Sequence, residues 1–307
     1  MPLVTNAQIM NKAYKEGYGV GAFNTSNLEI TQAIIEAAAE ERSPVMITAS
    51  EGAIKYAGIN NLVGIVKALS DEVKVPVSLH LDHGASVEMA IKCIRAGFTS
   101  VMIDASHLPF DGNVAMTRDV VKIAHAAGVS VEAELGRLKG IEDNIKVDEK
   151  EAFLTDPDEA LKFVELTQVD TLAVAIGTSH GAFKGKGTAR LELDRLKKIR
   201  ARVPMPLVLH GASGVSKSTI EELNALGATF KDTGGVADAD IAEAVKNGVA
   251  KINIDTDMRL AFSLALRKTL KDNPNEFDVR KLIGPSRSAM KEVAKFKMRL
   301  FGSSGKA

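Results

Sequence analysis

The chain has 307 residues, and its 39 Lys+Arg against 39 Asp+Glu leave a formal net charge of zero. That balance provides no global field to attract nucleic acid or a membrane surface, so neither is expected as a partner, and an anionic ligand must be held locally. A single cysteine, Cys93, excludes an intramolecular disulfide and a Cys-based zinc site.

At this length the chain fits one α/β barrel or two smaller domains. The N-terminal "MPLVTNAQIMNKAYKEG" has no basic segment followed by an apolar one, and no apolar run reaches the about 18 residues of a membrane span. The expected location is therefore cytoplasmic. Taken in chain order, eight short runs rich in Val, Ile, Leu and Ala read as buried parallel strands: 20–24, 45–50, 77–83, 100–107, 129–136, 171–181, 207–214 and 252–257. Segments with helical spacing lie between them. "NLEITQAIIEAAAEE" follows the first strand, and "SVEMAIKCIRAG", with Cys93 as a small core residue, follows the third. "DPDEALKFVELTQ" has Pro157 early and acids in its first turn. "RAGFTS", "AAGVSV" and "KNGVAK" each put a glycine at a helix end just before a strand. Strand alternating with helix eight times predicts an α/β fold, a (β/α)8 TIM barrel. Nothing marks a linker, so residues 1–307 read as a single domain. Residues 258–307 read as additional C-terminal helices joined by a turn near 273–277, an extension suited to an interface, with a frayed tail "GSSGKA". The stretch after the fifth strand, "LKGIEDNIKVDEKEAFLTDPDEA", is long for a connecting loop and reads as a lid.

The strand ends share a property that packing does not require: each apolar run finishes in polar or ionisable residues. Asn24, Ser50, Asp82 with His83, Asp104 with His107, Glu134, Ser179 with His180, His210 with Ser213, and Asn253 with Asp255 occupy these positions. Barrel enzymes carry their active sites at this end of the strands. His83, His180 and His210 end the third, sixth and seventh strands, and each precedes a glycine. Three imidazoles with an open fourth position describe a catalytic divalent-metal site, most naturally Zn2+. Asp82, Asp104 and Glu134 line the same rim, as acid/base or as ligands and their orienters. Strict alternation would turn Asp82 and His83 to opposite faces, so they meet in one site only where the strand begins to turn. His80, three positions earlier, reads as a packing or ligand-supporting residue, and His125 as an ordinary helix residue. The glycines of "SHGAFKGKG" and "LHGASGV", with "NIDTD", offer backbone N–H groups to a phosphate. "GYGVGAF" lacks the dinucleotide fingerprint, and "GASGVSKST" lacks the Gly that precedes Lys in a P-loop.

The strings "AFN", "HLDHG", "MIDASH", "VEAELG", "GTSHGAFK", "LVLHGASG" and "NIDTD" resemble the class II, metal-dependent fructose-bisphosphate aldolases over nearly the whole chain. With "EGAIKY" and "GIEDNI", the resemblance is closest to the bacterial subgroup of about this length. It implies a TIM-barrel homodimer or homotetramer that reversibly cleaves the phosphorylated sugar fructose 1,6-bisphosphate into glycerone phosphate and glyceraldehyde 3-phosphate, in glycolysis and gluconeogenesis. The family's catalytic Zn2+ ligands fall on His83, His180 and His210, its acid/base on Asp82, and a second divalent site on Asp104 and Glu134. The metal stabilises the enediolate left after cleavage. Glycerone phosphate contacts fall on Gly181, Gly211, Ala212, Ser213, Asn253, Ile254, Asp255 and Thr256, aided by a monovalent cation, Na+ or K+. Asn24 lies in the substrate site, and Ser50 and Arg280 match positions that bind the other phosphate. Arg280 does so from the adjacent subunit. Glu142 matches a mobile-loop carboxylate that moves the proton on carbon. The nearest rival is tagatose-1,6-bisphosphate aldolase, which differs in stereochemistry at C4. A metal-dependent barrel hydrolase is more distant, and the phosphate loops argue against it. A Schiff-base aldolase would need Lys184 or Lys251 as nucleophile, and Lys251 reads as lying before its strand.

Overall fold

The computed structural model describes residues 3–137, 139–142, 145–147, 153–180, 190–230 and 234–307, and for 139–142, 145–147 and 179–180 the strand only. Strands β1 (Val20–Asn24), β2 (Val45–Ser50), β3 (Val77–Gly84), β4 (Ser100–Ile103), β5 (Ser130–Leu135), β6 (Lys139–Glu142), β7 (Ile145–Val147), β8 (Thr171–Val174), β9 (Ser179–His180), β10 (Leu207–Leu209) and β11 (Val249–Ile254) follow one another along the chain. Eight of them close a parallel barrel in the order β1-β11-β10-β8-β5-β4-β3-β2. The helices are α1 (Asn6–Glu16), α2 (Leu28–Glu41), α3 (Glu51–Ala57), α4 (Ile59–Asp71), α5 (Val87–Ala96), α6 (Phe110–Ala126), α7 (Pro157–Thr167), α8 (Leu193–Arg202), α9 (Lys217–Ala225), α10 (Asp238–Lys246), α11 (Thr256–Asp272) and α12 (Val279–Phe301). Asn27, Ser86 and Asp156 accept hydrogen bonds from the first-turn amides of α2, α5 and α7, which fixes where these helices begin. Gly97, Gly128 and Gly248 take the left-handed conformation that ends α5, α6 and α10 before the next strand.

Leu79 and Leu81 of β3 and Val131, Ala133 and Leu135 of β5 join the buried cluster formed with the surrounding helices. Their alternate neighbours therefore face the barrel interior. At one end that interior is apolar: Ile9, Met10 and Ala13 of α1 pack on Val20, Ala22, Met46, Ala173, Val208 and Ala250. Further along the strands it is polar, with Ser78, His80 and Asp82 in β3 and Glu132 and Glu134 in β5, all buried. Barrels usually fill these layers with Val, Ile and Leu. This polar interior is what sets the site.

Four sequence expectations change. The fourth, sixth and seventh runs form barrel strands only as far as Ile103, Val174 and Leu209, so the polar ends of the fourth and seventh lie in loops and that of the sixth, Ser179–His180, forms β9 outside the barrel. The eighth strand is β11, three residues earlier than expected, and Asp255 precedes α11. Part of the expected lid is β structure: β6 pairs antiparallel with β7 and parallel with β9 in a three-stranded sheet. The tail is docked rather than frayed. Ser303 is buried with its hydroxyl 2.8 Å from that of Ser43, and the N–H groups of Gly305 and Ala307 donate to the carbonyls of Glu41 and Arg42 at 2.8 and 3.0 Å. Those carbonyls end α2, where the helix has no partners of its own for them.

Candidate active site

Asp82 is fully buried near the end of β3. Asn24, the last residue of β1, donates from Nδ2 to its Oδ2 at 3.0 Å, and Asn253 of β11 donates from Nδ2 to its Oδ1 at 2.9 Å. Both carboxylate oxygens are thus held by neutral amides, which orient the group. The next residue, His83, has φ +48°, in the left-handed region. That turn brings its ring to the same side as Asp82, against the strand's alternation. Among the described residues, Asp82, His83 and His210 offer ligand atoms within 4.8 Å of one another, and so do His83, Asp104 and Glu134.

The two rings meet edge to face with centroids 4.5 Å apart. His83 Nδ1 lies 2.8 Å from Asp104 Oδ2 and 3.9 Å from Glu134 Oε2. His210, in the residue after β10, turns Nδ1 toward Glu134 Oε2 at 3.2 Å and Nε2 toward Glu132 Oε1 at 2.9 Å. Burial pushes the Asp104 carboxyl up, but hydrogen bonds from His83 and the Ser106 amide outweigh it and hold it well below the usual carboxylate range. For His210, burial and the neighbouring His83 disfavour the cation, yet Glu132 and Glu134 prevail and raise its pKa to about 9. A buried set of imidazoles and carboxylates this close together suits a divalent cation that would neutralise it.

A further buried layer lies under the centre. Lys251 Nζ is 2.8 Å from Glu132 Oε1 and 3.4 Å from His80 Nε2, and His80 Nδ1 is 2.8 Å from Ser100 Oγ. Burial, then Lys251, lower the His80 pKa to about 3, so its ring is neutral. Burial raises the Glu132 carboxyl, but Lys251, His210 and His80 together keep it ionised. The sequence reading missed Glu132 and misplaced Lys251, which lies within β11 rather than before it. The signal for Glu132 was present in "VEAE": two glutamates at strand period 2 must share a face.

The remaining expected residues are distributed around this centre. Ser50 ends β2 and caps α3 by accepting from the Ala53 amide. Ala212 and Ser213 are buried in the loop after His210, and Gly211 takes a left-handed conformation there. Asn253 and Ile254 end β11, Asp255 precedes α11 and Thr256 begins it. Asp255 and Ser50 both line a cavity of about 340 Å³ with Asn24 and Arg259. His180 ends β9 and Glu142 ends β6, and the two strands are neighbours. His180 thus follows the barrel's sixth strand in a separate sheet, because the strand register stops at Val174. Gly181 and Lys184 lie outside the described residues. Arg280 is solvent-exposed in the first turn of α12, its Nη2 2.7 Å from Asp278 Oδ2.

A closed parallel barrel with buried histidines and carboxylates gathered where its strands end defines a metal-dependent barrel enzyme. The profile of the Fructose-bisphosphate aldolase class-II family matches residues 4–306, and the chain belongs to that family. A fructose-bisphosphate aldolase of Thermus caldophilus is 56% identical over 305 residues, covering 99% of this chain and all of that protein. One from Helicobacter pylori strain J99 is 52% identical, with 99% of each covered. Among solved structures, the YdjI aldolase of Escherichia coli K12 superposes with a TM-score of 0.78 at 34% identity, covering 99% of both chains. The chain is thus an aldehyde-lyase of a family that uses a divalent metal. Among the described residues no helix is long and apolar enough to cross a membrane.

Proposed function

We infer that the chain cleaves fructose 1,6-bisphosphate reversibly to glycerone phosphate and glyceraldehyde 3-phosphate, with Asp82 as the base at the C4 hydroxyl. The observation that carries this is the Asp82 carboxylate, fixed at both oxygens by Asn24 and Asn253 and in reach of His83 and His210. His83 and His210, with His180, would hold the catalytic divalent cation, Zn2+, and Asp104 and Glu134 a second divalent position. When bound, the cation supplies a Lewis acid for the oxygens of the keto fragment. Asp82 takes the proton of the C4 hydroxyl, C4–O becomes the aldehyde carbonyl, and the electron pair of the C3–C4 bond stays on the keto fragment. Glu142 returns a proton to that carbon.

Backbone N–H groups of Gly181 and of Gly211 to Ser213, with Asn253 to Thr256 and a monovalent cation, Na+ or K+, would receive the glycerone phosphate. Asn253 thereby serves both this end and Asp82. Ser50 would bind the other phosphate together with Arg280 of a second subunit. What supports a second subunit is that Arg280 is exposed and, among the described residues, bonded only to its own helix cap. We read residues 1–307 as one cytoplasmic domain whose C-terminal helices face the partner in a dimer or tetramer. The Schiff-base route is disfavoured because Lys251 is buried against Glu132.

The test is cleavage of fructose and tagatose 1,6-bisphosphates before and after chelation, with Zn2+ added back, and with borohydride trapping. Loss on chelation, recovery with Zn2+ and preference for the fructose ester are expected. Full activity of metal-free protein, or trapping of a lysine adduct, refutes this reading, and preference for the tagatose ester refutes the substrate.

A further inference from the structure

Four polar side chains lie in the barrel below the metal centre: His80, Glu132, Lys251 and Ser100, all buried. None belongs to either group of potential metal ligands among the described residues, and none reaches a substrate in the proposed reaction. A buried ion pair gives little net stability against an apolar pair of the same volume. The layer calls for a reason other than stability.

That reason lies in the geometry of Glu132. Its Oε1 is shared between Lys251 Nζ at 2.8 Å and His210 Nε2 at 2.9 Å. A carboxylate only accepts, so when the ring gives up one proton to bind a cation, Glu132 would retain the proton on Nε2 and leave the lone pair at Nδ1. Nδ1 is the nitrogen turned toward Glu134 Oε2, the same oxygen that His83 Nδ1 approaches. Lys251 in turn keeps Glu132 from rotating into the centre. Its remaining contact, His80 Nε2, sits on a ring anchored through Nδ1 to Ser100, so the ammonium itself is fixed from two strands.

We propose that Glu132, pinned by Lys251, is a positioning residue that orients His210 and fixes its tautomer for the divalent cation. This rests on His210 being a ligand, as in the function proposed above, but its test reads metal binding rather than cleavage. Carboxylates in this role typically raise metal affinity by roughly 10- to 100-fold.

Three variants decide it: Glu132→Gln, Lys251→Met, and the pair together. Zn2+ affinity is measured by competition with a chelating indicator. The visible spectrum of the Co2+-loaded protein reports ligand geometry, and thermal unfolding of the apo protein reports the fold. Glu132→Gln can donate to His210 Nε2 and so favours the wrong tautomer, with an expected loss of roughly 10- to 100-fold in Zn2+ affinity and a changed Co2+ spectrum. The double variant removes both charges, so its apo form should melt close to wild type and keep the barrel testable even where a single variant does not fold. Its Zn2+ affinity should stay as low as expected for Glu132→Gln alone. A stable double variant with wild-type Zn2+ affinity and Co2+ spectrum would make the layer a core ion pair and overturn the proposal. Absence of aldolase activity in the wild type would refute the reaction and leave this measurement intact.

Discussion

Replacing Asn24 by alanine removes one of the two amides that hold Asp82 and leaves the other, from Asn253, in place. A hydrogen bond to a charged group contributes about 1.5–3 kcal/mol. With a tenfold rate change for about 1.4 kcal/mol, kcat/KM for cleavage should fall by roughly 10- to 150-fold. Most of this should appear in kcat, since a carboxylate free to rotate spends less time against the hydroxyl it deprotonates. Proton exchange on glycerone phosphate, followed in deuterated water by NMR, supplies the contrast. It needs the metal centre and a base near carbon but no base at C4, so Asn24→Ala should leave it nearly intact. Asn253→Ala should impair both reactions, because Asn253 is also placed at the glycerone phosphate. Asn24→Asp keeps the shape but sets an acceptor against Asp82 Oδ2, and should lose at least as much cleavage as the alanine. If Asn24→Ala lowers exchange as much as cleavage, Asn24 is not acting through Asp82 and the assigned base is wrong.

Gly84→Ala would place a Cβ 2.5 Å from the Met102 carbonyl oxygen. Denaturant titration should show a loss of about 1–3 kcal/mol, while Gly64→Ala, with open space around it in α4, should be neutral or stabilising. Burial pushes the Cys93 thiol up to about 12. A group whose pKa lies that high is almost wholly neutral at about pH 8, so a thiol reagent should label native protein at a negligible rate and unfolded protein fully. Arg280→Ala should weaken fructose bisphosphate strongly and Arg280→Lys restore part of the loss, because a guanidinium binds two phosphate oxygens together. Mixing Arg280→Ala with His210→Ala subunits should regain cleavage. No regain after demonstrated exchange of subunits would refute its action across an interface.

Period and punctuation made the barrel legible: apolar runs of strand length, glycines ending helices, and polar residues at each run's end. The centre was legible for the same reason, since His83, Asp82, Asp104 and His210 each follow or end an apolar run. What did not show was where a strand stops pairing. The apolar run continues past Val174 into Ala175 and Ile176, yet the barrel register ends there, which places His180 in a second sheet. Buried polar residues that satisfy one another were harder still. Lys251 reads as a strand-leading lysine until its partner Glu132 is known, and the two are 119 positions apart in the chain. The "GSSGKA" tail has the composition of a loose end, and it docks only because α2 presents carbonyls that need donors.

The departure from regular structure at His83 explains why a glycine must follow it. Between β3 and β4 the register runs from Leu81 opposite Val101 to Gly84 opposite Ile103, so β3 holds one residue more than its partner over that interval. An extra residue in one strand is a bulge, and a bulge re-aims a side chain. Here it re-aims His83, whose left-handed backbone costs about 1–2 kcal/mol for a residue with a Cβ. The next residue then passes so near Met102 that only glycine fits. Strand regularity would have set Asp82 and His83 on opposite faces, one inside the barrel and one against the helices. A base and a metal ligand on adjacent residues can act on one substrate only if the strand breaks its alternation between them. In the function proposed above, the strain at His83 and the bare backbone at Gly84 are therefore conditions for the chemistry, and they fall just past Asp82, the last residue of β3 paired with β2, where β4 still pairs with Gly84.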